Sequence, residues 1–227
     1  MSSIEYIKKS SNKNSSLLKE YHLFNDILVV ITSPLSNDVN IKKILKRIEK
    51  NIPKHLFINL DIIYFGDFKE LKARQVSSAY MDGGIYLSNN QISDEEIYNS
   101  IIHELAHSIE KNFEYDLYGD EKILEEFLNK RKQLRGILES NKLYCEPSLY
   151  LKTEYTRDFD NFLFKTVGYD KLALLISNIF ISPYSCTSLR EYFASGFEHY
   201  YCSENPEYIK NISPKLYNKI ISLTKNN

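Results

Sequence analysis

The clearest pattern of apolar and polar positions in the chain lies in the segment that follows Ser93. Apolar residues recur in it at every fourth position and therefore share one face of a helix: Ile97, Ile101, Leu105 and Ile109. Ser93 and Glu96 match a Ser-x-x-Glu capping box, in which two side chains bind the free backbone amides at a helix start. The segment therefore predicts a long helix that begins at Ser93 and packs one face against a core.

Short apolar runs dominate the rest of the first half, and helical spacing dominates the second half. A helix is predicted to open near Ser36. The apolar runs predict strands at residues 26–32, 56–65 and 84–87. Apolar residues at helical spacing predict further helices at residues 121–138, 158–167, 171–179, 188–201 and 213–224. This order indicates an α+β fold with a small, mostly antiparallel or mixed sheet and a largely helical C-terminal half.

The length of 227 residues is enough for one sizeable domain. Residues 1–16 are rich in Ser, Asn and Lys and are predicted to form a flexible arm. The remainder shows no internal repeat and no linker. We therefore expect residues 17–227 to form a single domain with two lobes, about 17–118 and 119–227.

Composition excludes several classes of protein. The formal net charge of −1 argues against a nucleic-acid partner, and no apolar run is long enough to span a membrane. The three cysteines are far apart, so a reducing compartment fits better than a disulfide framework. No hydrophobic signal sequence is visible at the start, which agrees with a cytoplasmic location.

The residues that carry chemistry are His-Glu-Leu-Ala-His at positions 103–107, inside the predicted long helix. Because residues four apart lie on one side of a helix, His103 and His107 can aim two imidazoles at one point. Glu104 lies about 100° further round the helix, where it can reach a water molecule at the metal but is badly placed to bind the metal. This HExxH arrangement supplies what a zinc peptidase needs, two metal ligands and a carboxylate base.

A catalytic zinc site needs a third protein ligand, which the motif does not supply. A metzincin would have a histidine six residues after the motif, but Phe113 stands there. Glu191, near the start of the predicted helix at 188–201, is the best candidate because the small Ala194 lets two helices approach closely. The alternatives are Glu198 and His199 on the same helix, and Glu110 and Glu114 near the end of the motif helix.

The HELAH motif and the later block Glu191-Tyr-Phe-Ala resemble the gluzincin metallopeptidases typified by the anthrax lethal factor catalytic domain and the clostridial Pro-Pro endopeptidases. In that family the glutamate of such a block is the third zinc ligand, and a tyrosine seven residues earlier lines the site. Tyr184 occupies that position here. The resemblance covers about residues 57–224.

The resemblance implies a zincin-like fold, a bound Zn²⁺ ion and hydrolysis of a protein or peptide substrate. By resemblance, His103, His107 and Glu191 bind zinc, Glu104 is the general base for a zinc-bound water, and Tyr184 stabilises the oxyanion. Two features depart from the family. The segment 108–183 is longer than in the relatives, and the extra residues are predicted to form a lid or a docking surface. Ser195, four residues after Glu191, replaces a residue that is often acidic in the family. Phages also carry small domains of this type, so a phage-virion location stands beside the cytoplasmic one, and the oligomeric state stays open.

Two further points concern substrate and function. The strand at 84–87 precedes the motif helix, and its backbone is predicted to pair with an extended substrate, with Gly84 permitting a close approach; an ordinary edge strand explains it equally well. Tyr86 is a candidate for lining the substrate groove, although such a tyrosine is more often a packing residue. The alternative function is a catalytically silent zincin that acts as a structural or interaction protein of a virion. The intact Glu104 and Tyr184 argue against it, since neither is needed merely to hold zinc. The balanced charge disfavours a nuclease.

Overall fold

The computed structural model of the chain describes residues 19–225. The predicted arm at residues 1–16 lies outside these residues. The chain divides into two compact units, with the boundary after Asn112, and each unit is described by itself. Along the described residues, no helix is both long enough and apolar enough to cross a membrane.

A mixed sheet forms the framework of the first unit. Within the described residues 19–112, the sheet has five strands: β1 (Lys19–Leu23), β2 (Ile27–Ile31), β3 (Ile62–Gly66), β4 (Ser78–Met81) and β5 (Gly84–Ser88). They are ordered β1-β2-β3-β5-β4. The three central strands run parallel to one another, and β1 and β4 run antiparallel to their neighbours at the two edges. The α+β class and the mixed sheet are therefore confirmed, although β1 and β4 were not predicted.

The predicted strand at 56–65 is wrong in its first part. Lys54–Phe57 form a 3-10 turn, and Asn59 has a φ of 63°, in the left-handed region. An extended strand cannot pass through that conformation, so β3 begins only at Ile62.

Three helices of the first unit are α1 (Ile41–Asn51), α2 (Lys69–Arg74) and α3 (Asp94–Asn112). α1 begins later than the predicted position near Ser36, because the side chain of Asn40 caps it by accepting a hydrogen bond from the Lys43 amide at 3.1 Å.

α3 is the predicted long helix, and it contains residues 103–107. Ser93 caps it as predicted, since Ser93 Oγ accepts from the Glu96 amide at 3.1 Å. The Glu96 carboxylate reaches back one residue beyond the cap and accepts from the Ile92 amide at 2.9 Å. The apolar stripe that was predicted from the sequence is fully buried. α3 packs against α1, β4 and β5, so the HELAH segment is supported on a rigid element.

The regular elements described in the second unit are helical, which confirms the prediction for the C-terminal half. They are α4 (Glu114–Tyr118), α5 (Lys122–Ser140), α6 (Arg157–Asn161), α7 (Tyr169–Ile176), α8 (Leu189–Cys202), α9 (Glu207–Ile212) and α10 (Pro214–Lys225). Short 3-10 turns occur at Pro147–Leu151 and Tyr184–Cys186, and the predicted helix at 158–167 becomes a π-helical turn at Phe162–Val167.

The core of the second unit contains polar side chains that tie its helices together. Glu126 on α5 accepts hydrogen bonds from Tyr192 Oη and from the Lys215 amide, both at 2.8 Å. Lys130, one turn later, is only 6% exposed and donates to the carbonyl oxygens of Ile179 and Ile212. These bonds join α5 to α8, to α10 and to the chain segments that precede α8 and α10.

Candidate metal centre

His103 and His107 lie one turn apart on α3, as the sequence predicts. Their imidazole rings meet edge to face, with the ring centroids 5.0 Å apart. His107 is 7% exposed, and His103 is partly exposed. The helix therefore presents both rings on one side, which two ligands of a single ion require.

Glu110, one of the alternative third ligands, lies beside His107. Its carboxylate oxygen is 3.9 Å from Nδ1 of His107, beyond the length of a normal hydrogen bond. Carboxylates near the Nδ1 atom commonly support histidines that bind a metal through Nε2. Glu110 thus lies beside a candidate ligand, but this contact is too long for such a supporting hydrogen bond.

Glu104 is buried, with 5% of its surface exposed. Its carboxylate accepts a hydrogen bond from Ser78 Oγ at 2.8 Å and another from the Tyr80 amide at 2.7 Å. Both donors lie on β4, a strand that the sequence did not indicate. The two bonds fix the direction of the carboxylate. An ionised carboxylate has about four acceptor positions, so Glu104 can still take a proton from a water molecule.

Glu191 lies in the first turn of α8 and is partly buried. Its amide donates to Ser188 Oγ at 3.1 Å, so Ser188 is the N-cap of the helix. The sequence Ser188-Leu-Arg-Glu191 has the spacing of a capping box, a signal that the sequence prediction overlooked. A structural role at the helix start and a metal-binding role are therefore both open to Glu191.

The structure offers one group of side chains with the character of a metal site. His103, His107 and Glu191 each present a ligand atom, and these atoms all lie within 4.8 Å of one another. For residues 19–225, no second group of three His, Cys, Asp or Glu side chains has this property. Two imidazoles and one carboxylate form a donor set that catalytic zinc sites use, so the residues fit a zinc ion. The alternative ligands are not members of the group: Glu110, Glu114, Glu198 and His199.

Tyr184 begins the 3-10 turn that precedes α8, and 37% of its surface is exposed. Its carbonyl oxygen accepts hydrogen bonds from the amide and the hydroxyl of Thr187, at 3.0 and 2.8 Å. The backbone of Tyr184 is thus fixed, while its ring is not part of the core. Its role at an oxyanion stays a prediction.

The predicted pairing of a substrate with residues 84–87 is wrong. β5 pairs with β3 on one side and with β4 on the other, so it has no free edge. Tyr86 pairs with Ala79 on β4, so these two side chains lie on one face of the sheet. Ser78, which binds Glu104, is the next residue of β4, and its side chain lies on the opposite face. Tyr86 instead stacks on Tyr64, with ring centroids 5.5 Å apart, and Gly84 is buried beside it in the sheet.

The cysteines provide no further ligands. Cys186 is fully buried, and burial raises the pKa of its thiol to about 12. A thiol with this pKa stays protonated at neutral pH, whereas zinc binds the thiolate. Cys145 and Cys202 lie outside the group of possible ligands that the described residues form.

A scan of the chain against protein-family models finds no match, and searches of curated proteins and of solved structures find none. The chemistry open to the site is therefore that of its own residues. They comprise two imidazoles and a carboxylate that can share an ion, and a second, buried carboxylate in a fixed direction.

Proposed function

We propose that this protein is a zinc-dependent endopeptidase with a zincin-like catalytic domain. His103, His107 and Glu191 hold the zinc ion, and Glu104 is the general base. The observation that carries the proposal is the group of three ligand atoms within 4.8 Å. The buried Glu104 supports it, because this residue adjoins a ligand in sequence and is held in one direction by two hydrogen bonds.

Bound zinc would supply Lewis-acid activation of a water molecule and of a peptide carbonyl. Glu104 removes a proton from the attacking water and then delivers it to the nitrogen of the leaving amine. The hydroxyl group of Tyr184 donates a hydrogen bond to the carbonyl oxygen as negative charge develops on it. Ser78 and the Tyr80 amide keep the carboxylate of Glu104 oriented throughout.

The substrate class under this proposal is a protein or peptide, and the site of action is the cytoplasm or a phage virion. The chain segment from residue 91 to residue 127, which includes α3, is strongly acidic. Such surroundings repel phosphates and favour a cation or a neutral to basic peptide.

The first test measures zinc in purified protein by inductively coupled plasma mass spectrometry. We expect one zinc per chain in the wild type and almost none in His107→Ala. His22→Ala is the matched control, because His22 is an exposed histidine on β1 and should leave the zinc content unchanged. Full retention of zinc by His107→Ala would exclude the proposed site.

The second test separates the two roles of Glu191. Glutamine also serves at the third helical position of a capping box, so Glu191→Gln should keep α8 intact while it weakens zinc binding. A peptide library then reports hydrolysis, which should stop with a chelator and return with added Zn²⁺. Stoichiometric zinc without cleavage of any peptide would favour the alternative, a silent zincin with a structural or interaction role.

A further inference from the structure

An exposed tyrosine in the long segment before α8 has its hydroxyl held by a carboxylate. Tyr155 is 48% exposed, yet its hydroxyl donates to Asp160 Oδ2 at 2.7 Å. The other oxygen of the same carboxylate accepts from Tyr169 Oη at 2.6 Å. Asp160 lies on α6 and is itself only partly exposed. We refer to Tyr155, Asp160 and Tyr169 as the tyrosine–aspartate triad.

The triad lies beside the start of α8, which carries Glu191. The Leu189 amide donates to the carbonyl oxygen of Thr153 at 2.8 Å. Tyr155 lies two residues after Thr153, and Glu191 lies two residues after Leu189. The bond therefore joins the two chain segments that lead directly to Tyr155 and Glu191. Partial burial, the hydrogen bond to Asp160 and the negative charge of that carboxylate raise the pKa of Tyr155 to about 12, and Glu191 makes a smaller contribution. Tyr155 therefore stays protonated at neutral pH, and the backbone bond between Leu189 and Thr153 holds its chain segment beside the start of α8.

The hydrogen bonds of the triad decide what Tyr155 can offer to a ligand. A phenol has one proton, and Tyr155 donates it to Asp160. Its oxygen can therefore act towards a ligand only as an acceptor. The ring adds a flat apolar surface whose orientation is fixed before any ligand arrives, which lowers the entropy that binding costs. A backbone N–H of an extended peptide, with an apolar side chain beside it, is the chemistry that matches both features.

We propose that Tyr155 is a substrate-binding residue of the site that contains Glu191, and that Asp160 is its positioning residue. Tyr155 accepts a hydrogen bond from a backbone amide of the bound peptide and packs its ring against the neighbouring side chain. This inference rests on the proposed peptidase function and deepens it. It assigns a role in substrate recognition to part of the segment 108–183, for which the sequence predicted a lid or docking surface.

The test uses the zinc-loaded full chain and a peptide that the wild type cleaves. Tyr155→Ala should raise KM about tenfold and leave kcat and the zinc content nearly unchanged, because one hydrogen bond and one ring contact are lost in binding. Tyr155→Phe keeps the ring and loses the hydroxyl, so it should have a smaller effect. Tyr144→Ala is the matched control, since Tyr144 is an exposed tyrosine of the same unit.

A binding measurement that needs no turnover accompanies the kinetics. The chain has no tryptophan, so a tryptophan placed in the peptide is the only one in the sample. Its fluorescence anisotropy reports the Kd for the inactive Glu104→Gln protein with and without Tyr155→Ala, and we expect about a tenfold increase in Kd. Asp160→Asn should raise Kd as well. Each carboxylate oxygen of Asp160 accepts from one tyrosine, and the NH₂ group that replaces one of them in asparagine cannot accept a hydrogen bond.

The outcomes separate this inference from the proposed function. If the wild type binds no zinc and cleaves no peptide, the proposed function fails and this inference fails with it. If the wild type is an active zinc peptidase and Tyr155→Ala has the KM and Kd of the wild type, only the role of Tyr155 is wrong. A variant that lowers kcat and leaves KM unchanged would also contradict a binding role.

Discussion

Replacing Glu104 by glutamine separates its chemical role from its structural role. The carboxylate accepts two hydrogen bonds, from Ser78 Oγ and from the Tyr80 amide. The glutamine side-chain oxygen can still accept from the amide, and its NH₂ group can donate to Ser78, whose hydroxyl both donates and accepts. We therefore expect Glu104→Gln to stay folded, with a free energy of unfolding within about 1 kcal/mol of the wild type.

Glu104→Ala provides the contrast in stability. It removes both acceptors and leaves the Tyr80 amide without its present partner. Hydrogen bonds to a charged group contribute about 1.5–3 kcal/mol each, so the loss should be at least about 3 kcal/mol. Urea unfolding followed by circular dichroism measures both variants. A glutamine variant as unstable as the alanine variant would show that the charge of Glu104 is essential to the fold.

The loss of activity in Glu104→Gln should be much larger than the loss of stability. A general base contributes a factor of roughly 10²–10⁴ to the rate, which corresponds to about 3–5 kcal/mol in the activation barrier. We expect kcat to fall by this factor while the zinc content stays at the wild-type level. Glu96→Gln on the same helix is the matched control, because glutamine keeps the capping function of Glu96 and should leave kcat unchanged. Hydrolysis by Glu104→Gln at a near wild-type rate would refute the assignment of the base.

Two other predictions concern Tyr184 and Lys130. Tyr184→Phe should lower kcat and kcat/KM together by roughly ten- to a thousandfold with zinc content and KM unchanged, since one oxyanion donor is lost; a silent variant would show a purely structural tyrosine. Burial lowers the pKa of Lys130 to about 8, against the opposing charge of Glu126. Between pH 8 and about 10.5 the unfolded chain therefore binds more protons than the folded chain. The cost of burying the charged lysine lowers the free energy of unfolding fully below pH 8, and this loss disappears as the pH rises towards 10.5. Urea unfolding at pH 7.5 and pH 10.5 should show that the wild type gains up to about 3 kcal/mol relative to Lys130→Met, whereas parallel pH profiles would contradict the shift.

Elements with strong local signals were predictable from the sequence. α3 has a capping box at Ser93 and Glu96, an apolar residue at every fourth position and nineteen residues in which the signal accumulates. Each of these features acts through neighbours within four residues, so the sequence contains all the information they need. The same reasoning placed both histidines of the motif on one side of the helix.

The elements that were missed depend on distant partners. β4 has four residues, Ser-Ala-Tyr-Met, which alternate too briefly to show a period, and it is a strand only because β5 pairs with it. For the same reason, the sequence could not show that β5 is interior, since the pattern of one strand does not identify its neighbours. The break at Asn59 depends on a single left-handed residue inside an apolar run. Local spacing therefore predicts helices well and sheet order poorly.

The contrast between local helix signals and distant strand partners also applies to the candidate site, where the motif defines the positions of the two histidines but not the orientation of Glu104. The spacing of His-Glu-Leu-Ala-His fixes where three side chains leave α3, and for the two histidines this is enough to bring the rings together. It does not fix the direction of the carboxylate of Glu104, which has three rotatable bonds. That direction is determined by Ser78 and Tyr80, which precede Glu104 by 26 and 24 residues and belong to the strand without a sequence signal. A chance HExxH on a surface helix would have the same spacing but would lack such a strand. The hydrogen bonds from β4 to Glu104 are therefore a stronger reason than the motif itself to regard this segment as a site for chemistry.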